Sequence, residues 1–99
     1  MPLPRTDNSA PDYRLSQMLA LLALIEDGHG GAPAKDLSRL VGITRSSFKR
    51  YLVRAETELR VVVEWEKGLG YLVSSWGLLS KGELMAHYHG GGFASVIKS

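Results

Sequence analysis

Several groups of side chains in this chain have types and spacings that could do chemistry. The densest is Arg45-Ser46-Ser47, followed by Lys49, Arg50 and Arg54, a set of cations and hydroxyls with no acid until Glu56. Such groups donate to phosphate oxygens and to base edges. A second group is His87-Tyr88-His89. Two imidazoles at i and i+2 share a face on a strand but not on a helix. There is no cysteine, and no acid stands at helical spacing to both histidines, so a metal set would lack its third ligand unless a second chain supplied it. A solvated helix end is the expected role, and no cofactor is expected.

Catalytic arrangements are weaker still. Ser46 and Ser47 neighbour cations rather than a general base, so neither reads as a nucleophile. Glu64 and Glu66 share one face of a strand, but paired carboxylate chemistry needs a cleft between elements. Asp27-Gly28-His29-Gly30-Gly31 lacks both the Lys-Ser/Thr ending of a P-loop and the context of a dinucleotide fingerprint, and reads as a flexible connection. His29 is expected to be exposed there. The chain therefore reads as a binding protein and not as an enzyme. Trp65 and Trp76 could stack on unpaired bases, although at least one is expected to complete the core.

The elements that must position the cationic group can be read from hydrophobic period. From Pro33, the residues Leu37, Leu40 and Val41 stand at i, i+3 and i+4, one face of a helix. Phe48, Tyr51, Leu52 and Ala55 repeat that pattern. Between them, Gly42 suits a position where the chain leaves a helix with positive φ. Thr44 then fits the N-cap, because its hydroxyl can accept from a free N–H of the next turn. Two short helices with a glycine turn and facing apolar sides make a helix-turn-helix. With the apolar side inward, Arg45, Ser46, Ser47, Lys49, Arg50 and Arg54 face out.

This stretch resembles the helix-turn-helix of bacterial and phage transcriptional regulators. Leu37, Val41, Gly42, Ile43, Phe48 and Tyr51 sit where that family places its packing residues and turn glycine. Ser38 departs from the pattern, which has a small apolar residue there. Beyond Leu59 the period changes from 3.6 to 2. Val61, Val63 and Trp65 alternate with Val62, Glu64 and Glu66, a turn follows at Lys67-Gly68-Leu69-Gly70, and Tyr71 to Trp76 forms a second β-rich run. Helices followed by a hairpin resemble the winged helix-turn-helix fold, a mainly α domain with a small β-hairpin as its wing.

The remaining chain divides around this unit. Residues 1–8 hold two prolines and read as a loose arm. Ser9, Pro11 and Asp12 form a helix start, and a helix to about Glu26 follows. Its stripe of Leu15, Met18, Leu19, Leu22 and Ile25 is widened by Ala20, Leu21, Ala23 and Leu24, so it must be covered on two sides. One side can take the helix-turn-helix. The other is expected to take the same helix of a second copy or the chain's own C-terminus. Residues 9–78 make the expected DNA-binding domain. Residues 79–99 hold a short helix capped by Ser80 with Glu83, then Gly90-Gly91-Gly92 and an apolar tail, a possible dimerisation segment.

Charge supports the reading by its distribution. The 99 residues carry a net charge of only +2. Yet Lys35, Arg39, Arg45, Lys49, Arg50 and Arg54 stand against the single acid Asp36 over 35–54, which leaves the rest of the chain at −3. Positive charge gathered on one motif is the footprint of a nucleic-acid-facing surface. No apolar run is long enough for a membrane span, and the first residues lack a signal peptide's apolar core, so a cytoplasmic protein is expected.

The resemblance implies a transcriptional regulator that reads double-stranded DNA, with residues about 44–59 as recognition helix. It places Arg45, Ser46 and Lys49 near the base edges and Arg50, Arg54, Arg39 and Lys35 at phosphates, and Thr44 and Ser47 also belong to the expected DNA-binding set. Lys67 is a single possible contact from a hairpin otherwise made acidic by Glu64 and Glu66. A reader this small is expected to work as a homodimer on an inverted repeat, with no small-molecule effector. The other readings are a winged-helix protein-interaction module and a single-strand or RNA binder using Trp65 or Trp76.

Overall fold

A computed structural model of the chain describes residues 13–97. The arm over 1–8 and the expected helix start at Ser9, Pro11 and Asp12 lie outside the described residues. Helix α1 (Tyr13–Glu26) is followed by one 3-10 turn (His29–Gly31), then α2 (Ala34–Val41) and α3 (Arg45–Leu59). An antiparallel hairpin of β1 (Val62–Glu66) and β2 (Gly70–Ser75) comes next, and α4 (Lys81–His89) closes the order. The domain is thus mainly helical with a two-stranded sheet.

Helix α1 is the axis. It is built from leucine, alanine and methionine, which lose little side-chain freedom in a helix, with no glycine or proline to interrupt it. Met18 and the whole run Ala20 to Ile25 are buried. Helices α2 and α3 cover one side of α1, and strand β2 and α4 also pack on it. The second side is therefore filled by the chain's own C-terminal segment, so the buried surface of α1 is not open to a second copy.

That segment is fastened by both apolar and polar contacts. Leu84, Phe93 and Val96 are buried, so the tail docks rather than standing free. Ser80 caps α4 by accepting from the Glu83 N–H at 3.2 Å. Lys81 Nζ meets Glu26 Oε2 at 2.9 Å, and the Tyr88 hydroxyl donates to Asp27 Oδ2 at 2.8 Å. Burial pushes the Tyr88 phenol above its ordinary pKa, and the neighbouring Asp27 carboxylate adds to the shift.

The hairpin pairs Val63 with Val73, Glu64 with Leu72, Trp65 with Tyr71 and Glu66 with Gly70, with a bulge between Val62 and Val63. Val63, Tyr71 and Val73 lean on the core. The glycine stretch before α2 is not the slack connection expected from its composition. Gly30 is buried, and a Cβ there would collide with the Tyr71 carbonyl, while one on Gly70 would collide with the backbone of Gly30. Two glycines thus let the 3-10 turn and the start of β2 touch backbone to backbone.

One buried polar tie joins three helices. Gln17 of α1 is 7% exposed. Its amide donates to the carbonyl of Val41 at 3.1 Å, and its oxygen accepts from the Tyr51 hydroxyl at 2.7 Å. Val41 ends α2, where a carbonyl has no partner within its own helix. By contrast Ser38, the residue that departs from the regulator pattern, has its hydroxyl buried without a hydrogen-bond partner.

Gln17→Leu leaves the Val41 carbonyl and the Tyr51 hydroxyl unpartnered, so urea unfolding is expected to show a loss of about 2–4 kcal/mol. Adding Tyr51→Phe should recover part of it, because one orphaned group is then removed. Ser38→Ala should raise stability by about 1 kcal/mol in the same assay.

Candidate nucleic-acid interface

The candidate surface begins at the turn between α2 and α3. Gly42 has φ 71°, in the left-handed region, and closes α2 by donating to the carbonyls of Arg39 and Ser38. Ile43 N–H also donates to Ser38 O at 2.9 Å, which completes the bend. Thr44 is the N-cap of α3, its hydroxyl oxygen accepting from Ser47 N–H at 3.1 Å. The same hydroxyl lies 3.1 Å from Ser47 Oγ, which in turn accepts from Arg50 Nη2 at 2.9 Å. Cap, serine and arginine thus form a chain along the first two turns, and Arg50 is held by it.

Phe48, Tyr51 and Ala55 are buried, which fixes the rotation of α3. Tyr71 of β2 packs its ring edge-on against Phe48, with centroids 5.3 Å apart and planes at 69°. Core packing on one side and the hairpin on another leave Arg45, Ser46, Lys49 and Arg50 exposed together. Among the described residues the ion pairs engage Arg54, Lys81 and His89, and none reaches Arg45, Lys49 or Arg50. Lys35 and Arg39 are exposed on α2, and Lys67 is exposed in the hairpin turn.

Two of the expected residues differ in setting. Ser47 is half-buried and spends its hydroxyl on Thr44 and Arg50. Arg54 is also half-buried, and its Nε donates to both oxygens of Glu58, at 3.2 and 3.1 Å. An exposed i, i+4 pair of this kind adds little stability, but it neutralises much of the charge that Arg54 would offer.

Two residues outside the sequence-derived set join this surface. Arg14 of α1 lies beside α3, lining an open groove of about 800 Å³ with Arg50, Val53, Arg54 and Thr57. Val53 is 61% exposed on the outward side. Arg14 could not be found from local pattern, since its place depends on how α1 crosses α3. Val53 could have been found, because it falls one turn beyond Lys49 and Arg50 on the outward side of the helical wheel.

The electrostatics of α3 run against its dipole. A helix favours acids in its first turn and bases in its last. Helix α3 has no acid in the first turn and no base in the last. Its cations lie in the first ten residues and its acids, Glu56 and Glu58, at the end. Arg45 alone costs about 0.3–1 kcal/mol in this position. In return, cations, free N–H groups and dipole all present positive potential at one end, the arrangement that attracts an anion.

Of the aromatic pair, Trp76 is half-buried against the core and Trp65 is 61% exposed. Among the described residues no group of three His, Cys, Asp or Glu side chains could hold a metal, and no helix is long and apolar enough to cross a membrane. No protein-family model, curated protein or solved structure matches the chain.

Thr44→Ala removes the cap and is expected to lower stability by about 1 kcal/mol in thermal or urea unfolding, whereas Thr44→Asp, which can still cap, should lose none.

Proposed function

We propose that this chain is a sequence-specific, double-stranded-DNA-binding transcriptional regulator of winged helix-turn-helix type. Helix α3 would enter the major groove, which is wide enough for one α-helix. The observation that carries the reading is the exposed, acid-free cationic half of α3, turned outward by the Gly42 bend and the Thr44 cap.

The roles follow from position. Arg45, Ser46 and Lys49 stand near the N-terminal end of α3, the part of a recognition helix that meets base edges. Arg45 can make a bidentate contact to guanine. Arg50, Arg39 and Lys35 would bind phosphates, with Lys67 as the contribution of the hairpin. Thr44 and Ser47 set the geometry of the helix start and of Arg50. Arg54 contributes less than its charge suggests, because Glu58 already faces it. A pair of chains on an inverted repeat, with half-sites about 34 Å apart, would gain specificity by symmetry. Because α4 and the tail already cover α1, such a pair would meet through surfaces other than the buried side of α1.

A second reading is favoured by one observation, the exposure of Trp65, whose indole could stack on an unpaired base. Quenching of tryptophan fluorescence by single strands but not by duplex would support it over the first.

The test is selection of bound sequences from random duplex DNA at stated salt, followed by variants. Arg45→Ala should cost about 1–3 kcal/mol and relax specificity at one base pair. Arg50→Ala should weaken all sequences alike and lower the salt slope by about one. An Arg45→Ala variant that binds the selected site as tightly as the parent chain contradicts the assignment of α3.

A further inference from the structure

Val53 has no account in the fold. It is 61% exposed, so the core gains little from it. A β-branched residue in the middle of a helix also loses χ1 freedom, so the helix gains nothing over alanine. Its position is what distinguishes it. Buried Phe48, Tyr51 and Ala55 set the inward direction of α3. On a 3.6-residue wheel the line opposite them runs through Ser46, Arg50, Val53 and Thr57. Val53 is thus an aliphatic group at the centre of the outward face, one turn beyond Lys49 and Arg50. The Thr57 hydroxyl turns back to donate to the Val53 carbonyl at 3.0 Å, so it offers no competing polar group beside the isopropyl.

A base pair presents one apolar feature in the major groove, the 5-methyl group of thymine. An aliphatic side chain on a face otherwise made of cations and hydroxyls is complementary to that feature and to little else on duplex DNA. Arg50 on the preceding turn would hold a phosphate, and Lys49 would meet a base edge, while the valine rests on the methyl. We propose that Val53 is a specificity-determining residue that reads thymine through its 5-methyl group, an inference that rests on the duplex-DNA reading of α3.

The experiment replaces thymine by deoxyuridine, one position at a time, in the duplex site selected by the full chain. This removes a methyl and leaves every hydrogen-bonding group of the base in place. The parent chain should bind about fourfold more weakly at one position, the change that accompanies one methyl group left in water. Val53→Ala should lose that sensitivity and keep its salt slope. The variant should fold, since the site is exposed and alanine favours the helix. Salt-dependent duplex binding with no deoxyuridine-sensitive position, or sensitivity that survives Val53→Ala, overturns the role of Val53 alone. Failure of any duplex sequence to be enriched overturns the DNA reading together with it.

Discussion

A single buried amide sets the geometry on which the rest depends. Gln17 reaches from α1 to the last carbonyl of α2 and to the hydroxyl of Tyr51 on α3. Apolar packing between helices is tolerant of small rotations, because many contacts change a little at once. Hydrogen bonds are directional, and buried ones are costly to leave unmade. The tie therefore converts three helices that merely pack into three that hold one angle. Phe48, Tyr51 and Ala55 then point inward, and Arg45, Lys49 and Arg50 are exposed, with Arg50 steadied by Ser47.

The outward face of α3 does not serve the stability of its own helix. Cations crowd the positive end of α3 and acids its negative end, both against the dipole. The unpartnered Ser38 hydroxyl is a further cost, borne where α2 packs into the core. Offsetting contributions come from burial along α1 and from the docked C-terminal segment, with its Lys81–Glu26 and Tyr88–Asp27 contacts. In this division of labour α1 and the tail supply the stability, and the turn and α3 carry the charged surface.

What could be read from sequence was what local chemistry decides. The apolar period of α2 and α3, the left-handed Gly42, the Thr44 cap, the change of period into the hairpin and the Ser80 cap all depend on a few neighbouring residues. The Arg54–Glu58 pair is local too, at i, i+4, but spacing alone does not decide whether the arginine turns to the acid or to solvent. What could not be read depends on distant contacts. Gly28 to Gly31 resembled a loose linker because nothing nearby shows that Gly30 must admit the backbone of β2. The Gln17 tie spans 24 and 34 residues. Arg14 joins the groove only through the crossing of α1 with α3, and the sequence left open whether α1 was covered by another copy or by the tail.

The central claim is that the N-terminal half of α3 is the surface that meets duplex DNA. Backbone amide shifts of the isotopically labelled chain, followed during titration with its selected duplex, test it most directly. The account predicts that the largest changes fall on Thr44 to Val53, with smaller ones at Lys35, Arg39 and Lys67. Changes confined to α4 and the C-terminal tail, or to the hairpin around Trp65 with α3 unmoved, would contradict it.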